Sequence, residues 1–218
     1  MKRGIFITFE GIDGCGKSTQ SERLANFLIE RGVDVITTRE PGGTPVAEQI
    51  RKILLDRNYA EISPRTELFL YLASRAQHTY EIIAPALESG KWVISDRFFD
   101  SSVAYQGFAR GLGMKQVLEM SLMATGGLAP DLTFFLDISP EQASLRMKNQ
   151  GKVLDRLESE REEFMSKVRE GYLLIARDNP ERFIKIDGSN SPDVVWSDVK
   201  KFFLKKYPEL VKNLQFAK

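Results

Sequence analysis

The sequence predicts a three-layer α/β fold, a five-stranded parallel sheet with helices on both faces. Two observations carry this. Short apolar runs alternate along the chain with amphipathic stretches of helical period, the pattern of βα units feeding a parallel sheet. The first run, Ile5-Phe6-Ile7-Thr8-Phe9, leads to Gly11, four variable positions and Gly16-Lys17-Ser18. That spacing, G-x-x-x-x-G-K-[ST], wraps backbone N–H groups around phosphate at the head of a helix.

Taken in order, residues 4–9 form the first strand and 16–31 the first helix, stopped by Gly32. Val33–Thr38 is the second strand. The turn Arg39-Glu40-Pro41-Gly42-Gly43-Thr44 opens a helix through about Leu55, and 56–62 reads as loop. Ser63-Pro64 is an N-cap followed by a first-turn proline, starting a long helix towards Glu88 that Pro85 kinks. Ser89-Gly90 ends it. Trp92–Ser95 is the third strand, closing on Asp96-Arg97, and helical segments follow near 100–107 and 114–125. Leu132–Asp137, almost uninterruptedly apolar, suits a strand covered on both faces. Pro140 starts a short helix, and a charged stretch over 146–163 runs into another helix to about Asp178. Phe183–Asp187 is the fifth strand, and a last helix carries Val195, Val199, Phe202 and Phe203. The expectation is one domain over 1–218 with a mobile lid at about 146–156.

Composition narrows the function. A net charge of +1 supplies no global field for nucleic acid or an anionic membrane, so neither is an expected partner, and phosphate must be held by local clusters. Cys15 is the only cysteine, which excludes an intrachain disulfide and a cysteine-cluster metal site. His78 is the only histidine, so neither a histidine triad nor a multi-histidine metal site is available. The N-terminal apolar stretch is short for a signal segment and no run has membrane-spanning length; the expected location is cytoplasmic.

The loop residues Gly11, Ile12, Asp13, Gly14, Cys15, Gly16, Lys17, Ser18 and Thr19 are the expected triphosphate cradle. Lys17 reaches the β- and γ-oxygens, and the Ser18 hydroxyl suits Mg²⁺. Asp96, at the end of the third strand, stands where such enzymes orient Mg²⁺ through water, and Arg97 beside it suits a transferring phosphate. Tyr71 and Arg75, four residues apart, share a helix face: a ring to stack on a base and a fork to read its edge. Taken alone, Tyr71 reads as core packing, Arg51 and Arg75 as solvated helix charges, His78 as a helix-surface histidine and Cys15 as a small filler. The cations between 146 and 156 read as a lid over ATP, and those beyond as a salt-bridged surface helix.

The segments FEGIDGCGKSTQ, TREPGGT, LYLASRAQH, DRFFDSSVAYQG and LDRLE, in this order, resemble thymidylate kinase, the dTMP kinase branch of the nucleoside monophosphate kinases, from about Gly4 to Phe203. The resemblance implies a P-loop NTPase fold with strand order 2-3-1-4-5, usually a homodimer, and ATP–Mg²⁺-dependent phosphorylation of dTMP to dTDP. Carried over, it implies Asp13 beside the acceptor's sugar and phosphate, Arg39, Glu40 and Arg97 around the dTMP phosphate, and Arg51 facing the acceptor. Tyr71 takes the place of the aromatic on thymine, commonly phenylalanine. Arg75 reads a carbonyl edge, Ser102 and Gln106 line base and sugar, and Tyr105 disfavours a 2′-hydroxyl. Glycine at position 14 implies the branch whose catalytic arginine lies in the lid, with Arg146, Lys152 and Arg156 as candidates. A kinase for another nucleoside or nucleotide and a non-catalytic nucleotide-binding module remain alternatives. A GTPase switch does not, because no asparagine is followed by lysine.

Overall fold

The computed structural model describes residues 3–149, 155–157 and 162–212. Five strands, β1 (Phe6–Glu10), β2 (Val35–Arg39), β3 (Trp92–Asp96), β4 (Leu132–Asp137) and β5 (Phe183–Asp187), form one parallel sheet in the order β2-β3-β1-β4-β5. The expected order is therefore observed. The strand sequences explain the order: β1 is buried along its whole length and β4 over all but its last residue, whereas β2 and β5 alternate buried or half-buried with exposed positions, as edges do.

Ten helices are described: α1 (Lys17–Ile29), α2 (Pro45–Leu55), α3 (Pro64–His78), α4 (Ala84–Glu88), α5 (Phe99–Ser102), α6 (Met114–Ala124), α7 (Pro140–Asn149), α8 (Glu162–Asp178), α9 (Pro192–Lys206) and α10 (Glu209–Lys212). Local chemistry starts several of them. Thr44 Oγ1 accepts from Ala47 N–H and Ser63 Oγ from Thr66 N–H, each ahead of a first-turn proline. The loop expected at 56–62 contains a 3₁₀ turn, Arg57–Tyr59, capped by the Asp56 carboxylate. The long helix expected up to Glu88 does not simply kink at Pro85. A π-helical turn, Thr79–Ile83, joins α3 to α4, and Ala84 N–H donates to Thr79 O, five residues back. The wider turn accommodates a proline that has no N–H to give and whose ring crowds the preceding turn. A second π-helical segment, Val103–Ala109, extends α5.

Alternation along the strands divides the core. Ile7, Phe9 and Ile94 pack on one side with Leu24 and Leu28 of α1, whereas Phe6 and Val93 pack on the other with Ile83, Leu87, Phe98 and Phe99. Thr8 and Thr133 share a buried hydroxyl hydrogen bond of 2.8 Å between β1 and β4. The parallel register brings the carboxyl ends of all five strands to one edge, with Phe9 and Arg39 both level with Asp96, and Asp137 level with Asp187. That edge is where an open parallel sheet binds its ligands. Of the expected lid, 150–154, including Lys152, lie outside the described residues, as do 158–161. No described helix is long and apolar enough to cross a membrane.

α8 approaches the π-helical segment closely at Gly171, where an added Cβ would meet Ala104 Cα and Phe108 Cβ, both at 3.1 Å. Gly171→Leu is expected to lose about 1–3 kcal/mol through overpacking. Urea unfolding would show a lower midpoint at unchanged m; a midpoint equal to the parent's contradicts this packing.

Candidate active site

The phosphate loop sits where β1 turns into α1. Gly16 caps the helix at φ +98°, a left-handed conformation open to glycine. Gly14 is constrained twice: its φ is +82°, and a Cβ there would lie 2.7 Å from Ala143 O in α7. An arginine at 14 therefore cannot be accommodated without moving α7. Lys17 is folded onto its own loop, Nζ donating to Ile12 O at 3.1 Å and lying 3.6 Å from Asp13 Oδ1. Ser18 Oγ donates to Asp96 Oδ2 at 2.7 Å, so the two expected Mg²⁺-side oxygens meet. Such a hard-oxygen pair fits Mg²⁺, which takes few protein ligands beside phosphates and water. Cys15 is buried and burial raises its thiol pKa; it fills space, as expected.

Arg97 organises the centre. Its φ of +73° is left-handed, which costs a non-glycine residue about 1–3 kcal/mol. Arg97 N–H donates to Phe9 O at 2.9 Å and Ser95 Oγ donates to Arg97 O at 2.7 Å, holding that conformation. Nη1 donates to Gly11 O (2.9 Å), Ser101 Oγ (3.1 Å) and Tyr172 OH (3.2 Å), and Nη2 to Asp13 Oδ1 (2.7 Å) and Tyr105 OH (3.4 Å). Arg97 is thus bonded to the phosphate loop itself. Burial opposes its charge, but Asp13 and the phenols of Tyr105 and Tyr172 outweigh that and raise its pKa. Behind it lies Glu10, fully buried, accepting from Phe98 N–H (2.7 Å), Ser101 Oγ (2.6 Å) and Tyr172 OH (2.9 Å). Burial first, and Asp100 second, push the Glu10 pKa up to about 7.

Asp13 and Lys17 of the loop share one cleft of about 470 Å³ with Arg39, Glu40, Arg51, Tyr71, Arg97, Ser102, Tyr105 and Gln106. The π-helical segment brings Tyr105 and Gln106 to it. Arg39 is half-exposed and paired with Glu48 at 2.9 Å. Arg51 Nη1 donates to Pro41 O at 2.8 Å. Two expectations are corrected by burial. Arg75 is no solvated charge: it is 1% exposed, with Nε on Glu40 Oε2 at 2.8 Å and Nη2 on Phe98 O at 3.2 Å. Nor is His78 on the surface. It is fully buried, with Nε2 at 2.7 Å from Thr38 Oγ1 and Nδ1 at 3.3 Å from Glu40 Oε1. Glu40 therefore spends its carboxylate on Arg75 and His78 behind the wall. Arg75 Nη1 and Ser102 Oγ are buried polar atoms with no hydrogen-bond partner among the described residues. Tyr71 is half-buried on the cleft wall, with its phenol pKa raised by burial and then by Glu67.

The two described cations expected over the γ-phosphate are both bonded to protein acceptors. Arg146, on α7, donates Nη1 to Gly188 O at 2.8 Å and Nη2 to Ser189 O at 2.8 Å, fastening the loop after β5. Arg156 is buried, with Nε on Leu54 O and Nη2 on Glu67 Oε2, both at 2.7 Å. Backbone carbonyls and a buried carboxylate are strong guanidinium partners, and both side chains are engaged by them here. Sequence reasoning missed Glu10, Glu67, Ser101 and Tyr172. Ser101 stood within DRFFDSSVAYQG, but an acid inside an apolar strand or a tyrosine in an amphipathic helix carries no local mark of the network it joins.

The family model described as Thymidylate kinase matches residues 9–199. A thymidylate kinase of Caldanaerobacter subterraneus subsp. tengcongensis is 56% identical over 85% of this chain and 88% of its own length. One of Thermoanaerobacter sp. (strain X514) is 50% identical over 90% and 96% respectively. In structure, the chain is similar to a crystal structure of thymidylate kinase from Ehrlichia chaffeensis, with a TM-score of 0.75 and 35% identity, covering 92% of this chain and 98% of that one. The chain belongs to the thymidylate kinase family.

Because its folded pKa is raised, Glu10 holds a proton that the unfolded chain releases between about pH 4.5 and 7, so its contribution to stability is lost as pH rises through that window. In Glu10→Gln this decline is expected to flatten in urea midpoints measured across the window. A profile as steep as the parent's would remove Glu10 as its source.

Proposed function

We propose that ATP lies along the phosphate loop, that dTMP lies between Arg39, Tyr71, Arg97 and Gln106, and that the γ-phosphoryl group passes in line between them. The chain is an ATP-dependent nucleoside monophosphate kinase that phosphorylates dTMP to dTDP. One observation carries the residue-level reading: a single cleft joins the loop to the arginine- and aromatic-lined wall, and Arg97 spans the two through Asp13 at 2.7 Å.

Lys17 exchanges Ile12 O and Asp13 for the phosphate oxygens, and loop N–H groups and the α1 terminus hold the rest of the triphosphate. Ser18 and Asp96 would hold Mg²⁺, whose chemistry is to neutralise the phosphate oxygens and fix their geometry. The acceptor phosphate, with a second pKa of about 6, is already an anion at neutral pH, so no protein base is needed. Catalysis is positioning and charge stabilisation, with Arg97 placed to meet the transferring group from the acceptor side. Tyr71 stacks on thymine, Arg75 Nη1 supplies the donor for a base carbonyl, and Tyr105 closes the space beside the sugar. The assembly we infer is a cytoplasmic homodimer formed by one domain with its lid. Val46 and Ile53 of α2, Phe69 of α3 and Met123 of α6 are exposed apolar side chains on neighbouring helices, which supports a partner surface there.

Lys17→Ala and Arg97→Lys are each expected to lose at least about two orders of magnitude in kcat while unfolding cooperatively, because both groups act on charge developed in transfer. Near-normal turnover in either variant overturns its role. An ADP-release assay across dTMP, dUMP, thymidine and dCMP tests the substrate: dTMP should lead. Preference for the nucleoside, or ATP binding without ADP release, would reject the reading.

A further inference from the structure

Glu67 stands on α3, one turn before Tyr71, and the reaction described above does not employ it. It is 1% exposed, and its two carboxylate oxygens join three pieces of chain. Oε1 accepts from Gln106 Nε2 at 2.9 Å and from Arg110 Nε at 3.4 Å, both at the π-helical segment and its end. Oε2 accepts from Arg156 Nη2 at 2.7 Å and Arg110 Nη2 at 3.3 Å. Arg156 is held further by its N–H on Leu55 O at 3.2 Å and its Nε on Leu54 O at 2.7 Å. Asp155 and Leu157, on either side of it, line the same cleft as Tyr71 and Gln106.

A carboxylate buried among arginines is weak evidence of a stability role, since an apolar cluster of similar volume commonly serves stability as well. What the charge adds is direction. An ionised carboxylate only accepts, so the Gln106 amide must turn its NH₂ towards Glu67. The amide oxygen is thereby left facing away from it, and among the described residues nothing donates to Gln106 Oε1. Burial opposes ionisation of Glu67, but the Gln106 amide and the Arg110 and Arg156 guanidiniums overcome it and keep its pKa below the usual carboxylate range.

We propose that Glu67 is a specificity-determining positioning residue: it fixes the Gln106 amide with its oxygen presented to the acceptor cleft, so that the cleft selects a base carrying a ring N–H, and through Arg156 it seats Asp155 and Leu157 as part of the same wall. Thymine and uracil have that N–H at N3; cytosine has an acceptor there. This rests on the assignment of Gln106 to the acceptor base.

Glu67→Gln keeps the shape but can donate as well as accept, releasing the constraint on Gln106. The kcat/KM preference for dTMP over dCMP is expected to narrow about tenfold, the discrimination carried by roughly one hydrogen bond. The dTMP-to-dUMP ratio and the KM for ATP should stay at parental values. In the double variant with Gln106→Met, the Glu67 change should shift the dTMP-to-dCMP ratio no further than Gln106→Met alone, the mark of one shared path. An unchanged ratio in Glu67→Gln, equal losses on both bases, additive losses in the double variant, or a matching rise in KM for ATP would overturn the proposal. Where Glu67→Gln does not unfold cooperatively, Glu67→Met, of similar volume, must narrow the same ratio or the proposal fails. A parent that does not turn over dTMP at all would instead reject the substrate assignment.

Discussion

The guanidinium of Arg97 is the joint on which this site depends. It bonds the phosphate loop at Gly11 O and Asp13, α5 at Ser101 and α8 at Tyr172, so three separate pieces of chain, counting its own with α5, meet at one planar cation. Arginine can do this because it offers five donors in a fixed fork and stays charged when buried. The backbone beneath it is left-handed, a local cost that the Phe9 carbonyl and the Ser95 hydroxyl help to offset. The phosphate loop and the opposite wall of the cleft are thus held in one geometry, and most of what phosphoryl transfer requires is geometry of that kind.

Three buried carboxylates repeat this logic one layer back. Glu10 anchors the Ser101 and Tyr172 hydroxyls that also receive Arg97; Glu40 holds Arg75 and His78; Glu67 holds Gln106 and Arg156. None of the three is more than 5% exposed. A buried acid with several donors around it is costly to rearrange, so each holds side chains in or directly behind the cleft wall in fixed directions. The same economy accounts for Arg146 and Arg156. Both are tied to protein acceptors, and their work in this structure is to fasten the loop after β5 and the wall beside α2.

Patterns short in sequence were legible directly. β4 and β5 fall where their apolar runs stand, the caps at Thr44 and Ser63 start α2 and α3, and Gly11 to Ser18 forms the turn its spacing requires. Each depends on neighbours a few residues away: strand period, a cap hydroxyl three residues from its N–H, glycines at positive φ. Tyr71, Ser102, Tyr105 and Gln106 were placed in the cleft only because the resemblance named them; helix spacing alone left Tyr71 in the core.

The sequence by itself determined the parallel sheet, the phosphate loop and the family. Tertiary structure alone decided that Arg75 and His78 are buried around Glu40, that Pro85 is accommodated by a π-helical turn, and that Arg156 docks on Glu67. The difference is range. Glu67 and Arg156 lie 89 residues apart, and Glu10 and Tyr172 162 apart, so no window of sequence contains both partners of either bond. A charge shows its type in the sequence, but its partner is set by packing.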